Sequence, residues 1–173
     1  RRLARAVGAD EAGYRPLFDP RAQPVQRGDG SPAGVRIPRS PSLDVGTGSG
    51  LFAEKFSAHG LSVTGIDANP EMLPAARQHV PSATFREGVA EKLPFEDGAF
   101  DLVFMGLLLH ETDDARAALS EARRVASKRV AILEWPDEEQ SFGPPREHRL
   151  SFEKIALLTQ EAGFTSVKQV RLE

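Results

Sequence analysis

The chain has 173 residues, of which 40% are apolar and 27% charged, with a net charge of −3 and no cysteine. That length suits one domain with a substantial core, and the missing cysteines exclude a disulfide scaffold, a thiolate metal site and a cysteine nucleophile. The acidic balance, with no basic stripe, speaks against a nucleic-acid partner; no apolar run approaches the roughly 20 residues that cross a bilayer, and the cysteine-free composition fits the cytoplasm, the expected location, with targeting left open because the sequence begins with Arg rather than Met.

Residues 1–41 read as a loop-rich N-terminal extension. They hold six of the 13 prolines and five of the 15 glycines, so only Arg1 to Gly8 is expected to make a helical turn or two. From Ser42 the punctuation becomes regular, and residues 42–173 read as the folded domain. Ser42–Val45 is a short strand running into Gly46-Thr47-Gly48-Ser49-Gly50, and Leu51–His59 has helical spacing and stops at Gly60. Leu61–Ile66 is the second strand, closed by Asp67, followed by a helix over about Pro70–His79 and a strand at Ala83–Arg86. Phe100–Met105 is the most apolar strand and is expected at the sheet centre. Asp113–Ala126 is helical, Arg129–Glu134 a strand, Phe152–Ala162 a helix capped by Ser151, and Val167–Leu172 a final strand. Strands alternating with helices of this length predict an α/β fold: a Rossmann-like, doubly wound, mostly parallel sheet with helices on both faces.

The glycine turn carries the chemistry. Placed between a strand and a helix, glycines let the backbone approach a ligand with no Cβ in the way, and the helix start offers free N–H groups. Two cofactor classes use such turns. Gly48-x-Gly50-x-x-Ala53, with Asp67 19 residues after Gly48, satisfies a dinucleotide fingerprint. Asp44 argues the other way: a carboxylate two residues before the first glycine would repel a pyrophosphate but suits a ligand with a cationic ammonium and sulfonium, which is what S-adenosylmethionine carries. Bland readings stand beside these, with Asp44 as a turn residue and Asp67 as the Asp that opens the Ala68-Asn69-Pro70 turn.

Four ordered segments resemble the class I S-adenosylmethionine-dependent methyltransferases, in the small-molecule branch that includes ubiquinone and menaquinone methyltransferases. Leu43-Asp44-Val45-Gly46-Thr47-Gly48-Ser49-Gly50 looks like their first motif, and Gly65-Ile66-Asp67 through Leu73 like their second. Glu87 through Phe95, then Phe100–Phe104 and Leu109-His110-Glu111, are similar to the later ones. The resemblance implies S-adenosylmethionine as cofactor and a small-molecule methyl acceptor. It places Gly46, Thr47, Gly48 and Gly50 along the cofactor's methionine end, with Asp44 near its amino group. Asp67 would take the ribose hydroxyls, with Ala68 against the adenine and Ala90 and Glu91 at its edge. Phe104 and Met105 would wall the site near the transferred methyl. Two departures stand out. Val89 occupies a position where the family commonly has Asp, and one strand follows Gly163 where the family has two. The last strand is then missing, replaced by the extension, or supplied by a partner chain, and an unpaired edge would favour a homodimer.

If the acceptor must lose a proton, the candidate bases are His110, Glu111 and, after them, His148, with His110 favoured because it follows the central strand. No Asp, Glu and His cluster marks a magnesium site, and no metal is expected. Two readings compete with methyl transfer: a catalytically degenerate cofactor-binding scaffold, motivated by Val89 and the short C-terminus, and an NAD(P)-dependent oxidoreductase.

Overall fold

Leu43 and Val45 alternate with Ser42 and Asp44, yet all four are buried, as in a strand covered on both faces. The computed structural model describes the backbone of residues 5–8 and all of residues 39–170, with Arg171 as backbone. In chain order the elements are β1 (Arg5–Gly8), β2 (Pro41–Val45), α1 (Leu51–Ala58), β3 (Ser62–Asp67), α2 (Leu73–His79), β4 (Thr84–Glu87), β5 (Phe100–Gly106), α3 (Ala115–Val125), β6 (Ala126–Glu134), α4 (Phe152–Glu161) and β7 (Lys168–Arg171). The loop expected over residues 9–38 lies outside the described residues.

The strands form one sheet in the order β4-β3-β2-β5-β6-β1-β7. From β4 to β6 all pairs are parallel, and the Rossmann-like expectation holds, with β5 central. One expectation is corrected. Residues 5–8 are not helical: β1 is a strand, antiparallel to both β6 and β7. Four residues carry too little local pattern to declare a strand, and two flanking strands supply the ladder that fixes one. Of the three accounts of the last strand, the described sheet favours the extension, whose β1 lies between β6 and β7.

Side chains alternate between two cores. Toward α3 and α4 point Leu43, Val45, Val103, Met105 and Ile132, against Ala118, Leu119, Ala122, Ile155 and Leu158. On the other face Val63 and Phe85 meet Ala53, Leu73 and Ala76 of α1 and α2. Local chemistry sets the helix starts. Asp114 accepts the Ala117 N–H at 2.9 Å, and Ser151 accepts the Lys154 N–H at 3.2 Å. α2 begins three residues later than its spacing predicts, because Asn69 Oδ1 takes the Glu71 N–H at 3.0 Å and holds a turn there first.

Candidate active site

The glycine turn closes over the carboxyl end of β3. The Gly46 and Thr47 N–H groups both donate to the Ile66 carbonyl, at 2.8 and 3.0 Å. Gly46 has φ +69°, which favours glycine, and a Cβ there would lie 2.7 Å from Leu108 Cδ1, so that side chain would have to move. Gly48, at φ +51°, is different: a Cβ on it would meet nothing within 4 Å. Its open side faces away from the protein, and its N–H donates to Asp67 Oδ2 at 2.7 Å. Asp67 Oδ1 accepts the Asn69 N–H at 2.9 Å. Both carboxylate oxygens are therefore fixed by backbone donors, each with a lone pair to spare.

Asp44 is 1% exposed. Its Oδ2 accepts the Thr47 hydroxyl at 2.7 Å, whereas Oδ1 has no hydrogen-bond partner among the described residues. Such a buried orphan acceptor is rare and asks for an explanation. Its neighbours in the sheet explain the room around it: Gly65 on one side and Phe104 on the other. A Cβ on Gly65 would lie 2.5 Å from the Phe85 ring and 2.8 Å from Thr47 Oγ1. Gly65→Ala is accordingly expected to push Thr47 off Asp44 and to destabilise the chain by about 1–3 kcal/mol, read by urea unfolding.

The remaining expected residues fall in three groups. Ala68 is exposed beside Asp67, and the Gly88 N–H bonds the Asp67 carbonyl at 3.0 Å, bringing the segment after β4 to the same rim. There Val89 is 47% exposed, while Ala90 is buried in the larger core. Glu91 Oε1 accepts the Asp113 N–H at 3.1 Å, so its carboxylate holds the approach to α3. Phe104 and Met105 stand at the end of β5 and pack on opposite faces of the sheet. Phe104 meets Phe52 of α1 in a tilted contact at 4.8 Å and Phe56 edge-on at 5.0 Å, and Met105 lies fully in the core.

His110 lies in a short 3-10 turn after β5, two residues beyond the Leu108 side chain that abuts Gly46. Its Nδ1 is 2.9 Å from Glu134 Oε2, and its Nε2 lies 3.7 Å from Glu111 Oε1. Glu134 is 2% exposed at the end of β6. The Glu134 hydrogen bond is the largest influence on His110 and holds its pKa above the usual imidazole range; burial opposes this, and the charge of Arg149 also lowers it. Sequence reasoning missed Glu134. The available signal was a carboxylate directly continuing the apolar run Val130–Leu133, a position that ordinarily takes another apolar residue. Leu107, just ahead, is the one described non-glycine residue with positive φ, at +57°. Its N–H donates to the Leu133 carbonyl at 2.6 Å, fastening the exits of β5 and β6 together at a backbone cost of about 1–2 kcal/mol.

Residues 43–133, just over half of the chain, match the methyltransferase-domain family. The chain belongs to that family. A demethylmenaquinone methyltransferase of Chlorobaculum tepidum is 43% identical over 84 residues, 48% of this chain and 35% of that protein. An uncharacterised methyltransferase of Mycobacterium tuberculosis is 33% identical over 142 residues, 82% of this chain and 55% of that one. Among solved structures, a SAM-dependent methyltransferase from Aquifex aeolicus is 30% identical with a TM-score of 0.65, covering 72% of this chain and 71% of that one. The chain thus spans about a third to a half of the length of these curated relatives. Within this methyltransferase-domain family the cofactor is S-adenosylmethionine, and the dinucleotide alternative falls away. The buried, unpartnered Asp44 oxygen fits that cofactor's cationic ammonium, and Asp67 fits its ribose diol.

Proposed function

We propose that the chain transfers a methyl group from S-adenosylmethionine to a small-molecule acceptor. The observation that carries this reading is the Asp44 carboxylate, buried at the glycine turn with Oδ1 unpartnered beside the backbone-fixed Asp67. Gly46, Thr47, Gly48 and Gly50 shape the methionine end, Asp44 takes the ammonium, Asp67 accepts the ribose hydroxyls, and Ala68 bounds the adenine. Ala90 and Glu91 support the adenine edge from beneath and from the α3 side. Phe104 and Met105 back the site through the packing of β5. When bound, the cofactor supplies an electrophilic methyl on a sulfonium, so the protein's work is orientation and exclusion of water. His110 is the base for acceptors that must shed a proton, with Glu134 orienting its ring. The protein acts in the cytoplasm, and the outer edges of β4 and β7, which no described strand covers, favour a homodimer, which light scattering would reveal.

One observation favours a second reading. Val89 puts an exposed apolar side chain at the adenine rim, where the family commonly has Asp. A lost hydrogen bond there, on the order of 0.5–3 kcal/mol, fits a chain that holds the cofactor loosely as a scaffold. Calorimetric titration with S-adenosylmethionine and S-adenosylhomocysteine, followed by a methyl-transfer screen over phenols, carboxylic acids, thiols and amines, separates the two. Micromolar binding with turnover supports the enzyme; binding with no turnover supports the scaffold; folded protein that binds neither ligand overturns both. For a proton-shedding acceptor, rate should rise with pH through the elevated His110 pKa, since only neutral imidazole accepts a proton. Glu134→Gln should move that limb to lower pH, because the partner that raises the His110 pKa is gone. A limb left in place would remove His110 from the role.

A further inference from the structure

Every group facing Asp44 from the elements around it bears on one question, namely what that carboxylate does when no cation is near. From the turn comes the Thr47 hydroxyl, from α1 the Ala53 backbone amide, and from the end of β3 the like-charged Asp67. Its two neighbours in the sheet, Gly65 and Phe104, carry no charge. Burial penalises the charged form most strongly and the Asp67 charge adds to it. Thr47 and Ala53 pull the other way, and the balance pushes the Asp44 pKa up to about 7. Geometry points in the same direction independently, for a carboxylate 1% exposed with one oxygen unpartnered is poorly compensated as an anion.

We propose that Asp44 is a proton-exchanging residue: without ligand its carboxyl holds a proton, and it gives that proton up when the cofactor's ammonium arrives, so that cofactor affinity rises with pH through neutrality. This rests on the cofactor reading above and deepens it. The balance is simple: the O–H bond of the Asp44 carboxyl breaks, the proton leaves to buffer, and the carboxylate pairs with an ammonium that keeps all its protons. No other bond changes. The exchange makes cofactor capture and release sensitive to small pH changes around 7. It also selects for ligands with a cationic amino group, because a desamino analogue offers nothing to offset the charge on Asp44. The same shift sets a sign for the ligand-free chain. Between the unfolded and folded pKa values of Asp44 the folded state holds the extra proton, so this residue's contribution to stability declines as pH rises from about 4 to about 7.

The test is calorimetric titration of the full chain with S-adenosylhomocysteine in two buffers of matched pH and different ionisation enthalpy, on wild type and Asp44→Asn. Wild type should release close to one proton near pH 6, about half near pH 7 and almost none by about pH 8.5. Its Kd should fall about tenfold per pH unit below neutrality and level off above. Asp44→Asn should bind more weakly, with no proton release and a flat pH profile. In infrared difference spectra, the stretch of a protonated carboxyl should vanish from wild type on addition of the ligand and be absent in the variant. If folded wild type binds no S-adenosylhomocysteine, the cofactor reading itself is overturned. Binding without proton release, or with release that persists in Asp44→Asn, overturns the role of Asp44 and leaves the cofactor reading intact. Should the variant fail to fold, loss of the wild-type infrared band on binding supports the proposal, and a band that is missing or unchanged overturns it.

Discussion

Asp67→Ala is expected to weaken S-adenosylhomocysteine binding by at least about 100-fold and to lower stability by about 1–2 kcal/mol. The two effects have separate origins. Asp67 holds the glycine turn in shape, because Oδ2 takes the Gly48 N–H at 2.7 Å and Oδ1 takes the Asn69 N–H at 2.9 Å. Removing the carboxylate leaves two backbone donors to find water at a half-exposed site, a modest loss. Binding suffers more. Charge-assisted hydrogen bonds to a ribose diol are the strong kind, and the turn that shapes the methionine end loses its anchor at the same time. Asp67→Asn is the informative companion. Whichever way its amide turns, an NH2 faces either the Gly48 N–H or the Asn69 N–H, so one donor stays unpaired, and an intermediate loss of roughly tenfold is expected. Calorimetry on both variants, with urea unfolding to monitor the fold, checks this. An Asp67→Ala protein that binds within threefold of wild type would mean the ribose is held elsewhere.

The parts of this molecule that the sequence declares are those fixed by local rules. The glycine turn was legible because positive φ at Gly46 and Gly48 admits essentially one residue type. Ser151 was legible as a cap because its hydroxyl bonds a backbone amide three residues on. Asp44 and Asp67 were legible through spacing and charge logic, but their hydrogen bonds were not: nothing in the order of residues says that Asp67 would fasten Gly48, or that one oxygen of Asp44 would stay bare. The features that escaped are joined by long-range contacts. β1 takes its form from strands more than a hundred residues away. Glu134 acquires meaning only opposite His110, 24 positions earlier. The start of β6 at Ala126 rather than Arg129 follows from pairing with Phe100 through an irregular register, which no single-strand pattern encodes.

The same division marks Arg149, whose loss is expected to destabilise the chain by about 2–4 kcal/mol. Arg149 is 8% exposed and organises the segment after β6. Its guanidinium donates to the carbonyls of Pro136, Glu138, Phe142 and Pro144 at 3.1, 2.8, 2.9 and 2.9 Å, and to Gln140 Oε1 at 3.4 Å. It also lies 5.8 Å over the Trp135 ring. Only arginine can do this, because donors on three nitrogens in one rigid plane, with Nη1 shared among Pro136, Glu138 and Gln140, reach acceptors spread over nine residues, whereas a lysine ammonium offers donors from a single nitrogen. Arg149→Met keeps the apolar stem over Trp135 but strips every donor, so the loop carbonyls must turn to water and residues 136–144 open. Arg149→Lys should recover less than half of the loss. Urea unfolding measures the energy, and limited proteolysis should cut the variants within 136–144 while sparing wild type. A second readout ties the loop to the site. Arg149 lowers the His110 pKa through its charge, so Arg149→Met should move the His110 titration upward by NMR, and Arg149→Lys should leave it nearer wild type. A titration unmoved in the Met variant would place the Arg149 charge outside the reach of the His110–Glu134 pair.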